Sequence, residues 1–260
     1  MQQNRFKQLL AAGGRAVGTM VFEFNTPGIA RLLDATGVDF VVFDMEHSGF
    51  EIGAIRELIS WSRGASFTPM VRVPIGEYHF LARALDVGAQ GVMVPMVESR
   101  QHAEAIVSAC KYPPQGRRGA AFGVAHDDFR AGSVVETMAA SNAEGAIILQ
   151  IETARGVENA DEIAAVPGVD VLWIGHFDLS QSLGIPGQFD HPRFVETVDA
   201  VVAACNRHGR PLGVMVNDPA TGRVWLDRGF RAIAYSGDIW LLQRALAEGV
   251  AWVRSWDGDR

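Results

Sequence analysis

Short, continuously apolar runs alternate with helix-period segments along almost the whole chain. The runs fall at residues 16–22, 40–44, 68–73, 91–95, 146–151, 169–174, 212–216 and 232–235. They lack the polar alternation of a strand with one wet face, and so they suit parallel strands buried on both sides. Between them, helical periodicity predicts helices over 28–35, 52–63, 78–87, 99–111, 159–165, 193–207, 219–227 and 239–255. Gly64, Gly88, Gly209 and Gly229 each follow a predicted helix, where a left-handed residue ends it. After the first strand, Asn25 or Thr26 is expected to cap a helix, with Pro27 in its first turn.

Eight β–α units in this order predict an α/β fold of the (β/α)8 TIM-barrel type, since right-handed crossovers joining eight parallel strands close naturally. An open doubly wound sheet would call for a glycine-rich dinucleotide loop after the first strand, and Phe24-Asn25-Thr26-Pro27-Gly28 stands there instead. Residues 112–145 are irregular and glycine-rich. A structureless loop of that length is unusual, so an additional helix is expected near 133–140. No linker divides the chain, which reads as a single barrel domain over residues 1–260.

Length and composition agree with this picture and narrow the partners. A chain of 260 residues is the size of one such barrel. A formal net charge of −7 leaves no basic stripe for nucleic acid or an acidic membrane surface. No apolar run reaches the roughly 20 residues needed to span a bilayer. The first ten residues have no apolar secretory core, and cytoplasmic location is the default. Cys110 and Cys205 lie far apart in helical segments and read as buried small hydrophobes of a reducing compartment.

In a barrel of this kind the chemistry collects where strands end. The second strand runs into Asp44-Met45-Glu46-His47, which offers a histidine base with a carboxylate to orient it. A solvated loop is the plainer reading. The third strand ends on Arg72 between two valines, fit for a substrate carboxylate or for a structural ion pair. Gln150 and Glu152 share one side of the fifth strand's end. The sixth reads Leu172-Trp173-Ile174-Gly175-His176-Phe177-Asp178. Neighbouring parallel strands lie about 4.8 Å apart, so Glu152 and Asp178 can meet at the rim. Such a pair repels unless a cation sits between, and hard oxygen ligands favour Mg²⁺, Mn²⁺ or Co²⁺ over structural zinc. A spare ion pair or a helix cap at Asp178 is the alternative. His176 joins that shell or bonds locally.

Chemistry at a carbanion next to a carbonyl uses either a lysine Schiff base or a metal as electron sink. The only lysines are Lys7, before the first strand, and Lys111, at the end of a helix. Neither stands at a strand's catalytic end.

Six stretches, in order, carry a resemblance to a known family: VDFVVFDMEHSG at 38–49, MVRVP at 70–74, GAQGVMVPMVE at 88–98, YPPQGRRG at 112–119, LQIETARG at 149–156 and VDVLWIGHFDLSQSL at 169–183. Together they resemble the HpcH/HpaI aldolases, metal-dependent enzymes on a phosphoenolpyruvate/pyruvate-type barrel. The resemblance implies a class II aldolase that cleaves 4-hydroxy-2-oxo acids to pyruvate, or an analogue such as hydroxypyruvate, and an aldehyde. It implies Glu152 and Asp178 as metal ligands and His47 as base with Asp44 as its dyad partner. It implies Arg72 on the pyruvate end and the enolate, and Gln150 and Gly175 beside the substrate. Relatives read Gly-Pro-x-Asp-Leu-Ser at the sixth strand, and His176 here replaces the proline. The resemblance further implies a homo-oligomer, hexamer or trimer, with the last helix exchanged between subunits. The apolar residues of 239–255 suit such an exchange and equally an ordinary eighth barrel helix.

Two other functions compete. A CoA-thioester lyase of the citrate-lyase β type would need basic side chains for the nucleotide, and Arg117-Arg118 is the candidate pair. A phosphate-binding isomerase would not place Asp218 and Asp238 after its last two strands. A non-catalytic binding or assembly barrel would be expected to have lost one of Asp44, His47, Arg72, Glu152 or Asp178.

Overall fold

Each predicted apolar run forms a strand. In the computed structural model, which describes residues 3–256, the strands are β1 (Ala16–Val21), β2 (Phe40–Asp44), β3 (Thr68–Arg72), β4 (Gly91–Val94), β5 (Ala146–Ile151), β6 (Val171–Ile174), β7 (Leu212–Val216) and β8 (Ala232–Gly237). All pair in parallel, each with its neighbour in sequence, and β8 closes onto β1. The helices are α1 (Arg5–Ala11), α2 (Ile29–Asp34), α3 (Ile52–Trp61), α4 (Tyr78–Asp86), α5 (Arg100–Cys110), α6 (Val134–Glu144), α7 (Ala154–Glu158), α8 (Ala160–Ala164), α9 (His176–Ser182), α10 (Pro192–Arg207), α11 (Pro219–Asp227) and α12 (Asp238–Ser255). No helix among the described residues is long and apolar enough to cross a membrane.

Strand residues alternate between two buried layers. Val41, Phe43, Val71, Leu149 and Val214 point outward and join the helices in the larger core. Phe40, Val42, Met70, Met93, Ile148 and Trp173 point inward and fill the barrel. Size is matched across the interior: a Cβ at Gly213 would lie 2.2 Å from the Trp173 ring, and one at Gly18 would lie 2.6 Å from Phe40. Glycine is therefore required at both positions so that two large rings can fit. The same inward parity carries Asp44, Arg72 and Gln150 into the catalytic mouth.

One expectation is corrected, and three short helices were not anticipated. α1 was not anticipated: it plugs the barrel's N-terminal end, with Phe6 fully buried against Phe40 at 5.1 Å between ring centroids. Neither Asn25 nor Thr26 caps α2 with its side chain. The helix starts after Gly28, and the Asn25 amide donates instead to Glu57. The helix expected at 159–165 is present as α8, and α7, which was not anticipated, precedes it; Asn159 stands between them with its side-chain amide donating to the Glu98 carbonyl at 2.7 Å. The sixth strand ends at Ile174 as expected, but His176-Phe177-Asp178 open helix α9, which was not anticipated. The extra helix expected in the long connection is present as α6, and Gly64, Gly88, Gly209 and Gly229 all have positive φ.

α12 is built unlike the other barrel helices. Asp238 at its start is its only buried residue, and Leu242, Leu246, Trp252 and Val253 are each more than half exposed.

Candidate active site

Arg72 is the best-defined group at the mouth. Register pairs it with Asp44 on β2, and the two side chains meet inside the barrel. Arg72 Nε donates to Asp44 Oδ1, and Nη1 lies 3.0 Å from Glu46 Oε2. The guanidinium also sits 5.8 Å over the Phe22 ring. A buried arginine is costly unless paired, and here two carboxylates and a ring face hold it flat against the cavity wall.

Asp44 is fully buried and works on the backbone. It accepts from the Glu46 and His47 main-chain N–H groups at 3.2 and 2.8 Å, folding the chain sharply after β2. The expected contact between Asp44 and the His47 imidazole is not made. The nearest carboxylate to that ring is Glu46, with Nε2 to Oε2 at 3.9 Å, and the His47 side chain is 59% exposed. Asp44 thus fixes where His47 stands and leaves the ring free at the rim.

Glu152, just past β5, is buried and held at both oxygens. Oε1 accepts from the Met96 N–H at 2.6 Å and Oε2 from the Gln150 amide at 2.7 Å. Met96 takes a left-handed backbone, φ 56°, which is unfavourable for a long side chain and signals a constrained turn. Gly175 closes the arrangement. A Cβ there would come within 2.1 Å of Glu152 Oε2, so only glycine lets β6 pass behind the carboxylate.

Burial dominates the electrostatics, and neighbouring carboxylates add to it. Burial pushes Glu46 up to about 7; Arg72 opposes this, and Asp44 and Asp178 add to it. Burial pushes Glu152 up to about 7 as well, opposed by the Met96 and Gln150 hydrogen bonds and reinforced by Glu46 and Asp178. Asp178 itself is exposed, in the first turn of α9. Glu46 Oε2 is buried without a hydrogen bond, since its approach to Arg72 is an ion pair of poor angle. Among the described residues, no three His, Cys, Asp or Glu side chains are gathered closely enough to enclose a metal ion by themselves.

A cavity of about 490 Å³ opens between these groups. His47, Arg72, Gln150, Glu152, Gly175 and Asp178 all line it, together with His176. Trp173 and Met20 lie below, while Phe22, Asn217 and Trp240 wall the mouth. Burial pushes the His176 imidazole down to about 4, against the pull of Asp178. Sequence reasoning brought six of these groups to the mouth but gave no role to Glu46 or Trp240. Only the fold reveals that Glu46 is desolvated, and no motif marks Trp240.

Asp218 and Asp238 do not face the cavity as free carboxylates. Asp218 caps α11 through Thr221. Asp238 is buried and accepts from the N–H groups of Phe22, Glu23 and Phe24 at 2.9, 3.0 and 2.9 Å, clamping the β1 loop to β8. Lys7 pairs with Asp170, and Lys111 is buried against the carbonyls of Asn142 and Gly145, so neither is at the cavity. Burial pushes both Cys110 and Cys205 up to about 12, leaving inert thiols. Of the arginine pair, Arg118 is buried, paired with Asp86 and stacked on Tyr112, while Arg117 lies over Tyr78. That disposition leaves little for a nucleotide phosphate.

Residues 19–245 match the model of the HpcH/HpaI aldolase/citrate lyase family. A hydroxypyruvate/pyruvate aldolase of Roseobacter denitrificans is 34% identical over 239 residues, covering 92% of this chain and 93% of that protein. A 5-keto-4-deoxy-D-glucarate aldolase of Escherichia coli O157:H7 is 33% identical over 242 residues, 93% of each. The crystal structure of an HpcH/HpaI aldolase from Desulfitobacterium hafniense DCB-2 superimposes with a TM-score of 0.92 at 35% identity, covering 98% of both chains. The chain is thus matched in both sequence and fold, and it belongs to the HpcH/HpaI aldolase/citrate lyase family. It is an enzyme of the aldolase kind, a carbon–carbon lyase.

Proposed function

We propose that the enzyme is a class II aldolase that reversibly cleaves a 4-hydroxy-2-oxo acid to an aldehyde and pyruvate, or a close analogue such as hydroxypyruvate. The observation that carries this reading is the gathering of one pinned guanidinium, Arg72, and two rim carboxylates, Glu152 and Asp178, on a single cavity. Two relatives that span nearly the whole chain carry aldolase names, one of them hydroxypyruvate/pyruvate aldolase, which supports the same substrate class.

The donor set fits a hard divalent cation, Mg²⁺, Mn²⁺ or Co²⁺. Burial raises both Glu152 and Glu46 to about 7 and Asp178 adds to it, a cost of ionisation that a cation among them would offset. Glu152 and Asp178 would hold it, and the remaining positions would fall to water and to substrate oxygens. When bound, the cation supplies a Lewis acid for the 2-oxo group. Arg72 then binds the oxo-acid end and stabilises the negative charge that develops as the C3–C4 bond breaks. Gln150 orients Glu152 through its 2.7 Å hydrogen bond. His47, at the rim and free of a side-chain hydrogen bond among the described residues, takes the proton from the C4 hydroxyl in cleavage and returns it in condensation. Trp173 and Phe22 restrict water below and beside the reacting carbon.

The same reading makes the whole chain one catalytic barrel domain of the cytoplasm and a homo-oligomer. The exposed apolar residues of α12, led by Leu246 at 63% and Trp252 at 65%, form a surface that a second copy of the chain would cover. Light scattering of the purified protein tests this, with a trimer or hexamer expected and a monomer contradicting it.

Cleavage of a racemic 4-hydroxy-2-oxo acid, followed as pyruvate release, tests the activity. Glu152→Ala is expected to abolish release. His47→Ala is expected to lower it by about 10²–10⁴, the usual contribution of a general base. Full activity in His47→Ala would remove the proton-transfer role, and full activity in Glu152→Ala would remove the site.

A further inference from the structure

The end of β8 is irregular, and the mechanism above gives it no part. Against β1, Gly18 pairs with Ala234 and Met20 with Gly237, so β8 has one residue more than β1 over the same span. Ser236, buried and with φ 57°, lies in that extra length. A left-handed backbone is unfavourable for serine, and a bulge re-aims the side chains that follow it. Thr19 braces the bulge, with Oγ1 at 3.1 and 3.2 Å from the carbonyls of Tyr235 and Ser236. The side chain brought round is that of Asp238. Its Oδ1 accepts from the N–H groups of Phe22 and Ile239, each at 2.9 Å, and its Oδ2 from those of Glu23 and Phe24 at 3.0 and 2.9 Å. Four main-chain donors thus converge on one buried carboxylate and fill its acceptor sites.

These bonds hold Phe22 in place. Its ring lies against Gly237, where a Cβ would come within 2.7 Å of it, and packs on Trp240 at 4.9 Å between centroids. Its face meets the Arg72 guanidinium at 5.8 Å. Asp44 and Glu46 hold the edge of that guanidinium, and Phe22 supports its face. We propose that Asp238 is a positioning residue for the reaction: through the main chain of residues 22–24 it holds the Phe22 ring against Arg72, and so sets the plane of the guanidinium that receives the oxo acid. The proposal rests on the role given to Arg72 above. Asparagine keeps the shape of Asp238 but replaces one acceptor oxygen with a donor, which leaves two of the four N–H groups facing another N–H. The loop then relaxes, and the ring shifts with it.

The test is a double-mutant cycle on pyruvate release from a 4-hydroxy-2-oxo acid, with Asp238→Asn, Phe22→Leu and the double variant. Each single change is expected to lower kcat/KM by about 10- to 100-fold, mostly as a rise in KM for the oxo acid. Loss of folded enzyme alone would lower the apparent kcat and leave KM where it was. The double variant is expected to fall within about threefold of the worse single, because both changes remove the same contact. Gly237→Ala gives an independent reading and stands in if Asp238→Asn does not fold. Its backbone, φ −138°, accepts alanine, and the added Cβ displaces the Phe22 ring while leaving the carboxylate's bonds intact. A rise in KM of about tenfold is expected. The proposal is overturned if the effects of the two single changes multiply in the double variant, or if folded Asp238→Asn or Gly237→Ala keeps the wild-type KM. A wild type that releases no pyruvate removes the aldolase reading itself, and this proposal with it.

Discussion

Arg72 sets the chemistry at the scale of single residues. It is buried, its Nε is taken by Asp44, and its Nη1 faces Glu46, so it cannot swing out of the cavity. A lysine carries the charge but not the planar fork that answers two carboxylates at once. Arg72→Lys is therefore expected to lower kcat/KM for cleavage by about 10²–10³, the loss seen when one aimed donor to a developing oxyanion is removed. Steady-state kinetics on the folded variant check this, and a loss below threefold would contradict the role. Arg72 was legible in the sequence because an arginine between two valines at a strand end has few other uses. Glu152 and Asp178 were legible for the same reason of position. The link between Asp44 and His47 was not. Spacing shows that two groups are near, but here the carboxylate is spent on backbone N–H groups and the imidazole stands clear. Glu46 was overlooked as a titrating group because its burial is made by neighbours far away in the chain.

At the scale of elements, the strands carry the design. Their parity puts apolar side chains in two layers and turns the last inward residue of β2, β3 and β5 toward the mouth. That parity could not be read from the runs themselves, because a strand buried on both faces shows no alternation; only the polar residues that end or follow several of them pointed to the mouth. Short helices could not be read so well. α1 and α9 have seven residues each, less than two full turns of any periodic signal. α1 owes its stability to Phe6 and Leu10 inside the barrel's closed end, a contact made with strands far along the chain. Phe6→Ala is expected to cost about 3–5 kcal/mol in denaturant unfolding, as for other large aromatic truncations in a core. Because the plug lies at the end away from the cavity, the KM for the oxo acid is expected to stay put. A loss of less than 1 kcal/mol would mean that the plug contributes little.

For the whole molecule, the carboxylates couple stability, pH and metal. Glu46 and Glu152 stand at about 7 in the fold against an ordinary 4.5. Between those values the folded chain holds more protons than the unfolded one, so their contribution to stability is present at low pH and is lost as the pH rises toward 7 and above. Metal binding has the opposite demand, because the ligand must be ionised. The metal-free protein is thus expected to gain less from Mg²⁺ or Mn²⁺ at about pH 5 than at about pH 8, read as the shift in Tm on adding the ion. An equal shift at both would mean that the cation does not engage these groups. The exposed α12 surface belongs to the same scale: it could be read as apolar in the sequence, but only the fold shows that no part of its own barrel covers it.

The central claim is that this barrel forms a pyruvate-type enolate with a divalent cation and joins it to an aldehyde. The direct measurement is to strip the protein of metal, supply pyruvate and glycolaldehyde, and follow the aldol adduct by NMR with and without Mg²⁺, Mn²⁺ or Co²⁺. Adduct that forms only when a cation is restored is the predicted result. A folded, metal-loaded protein that forms no adduct, or one that forms it equally well after stripping, would contradict the account.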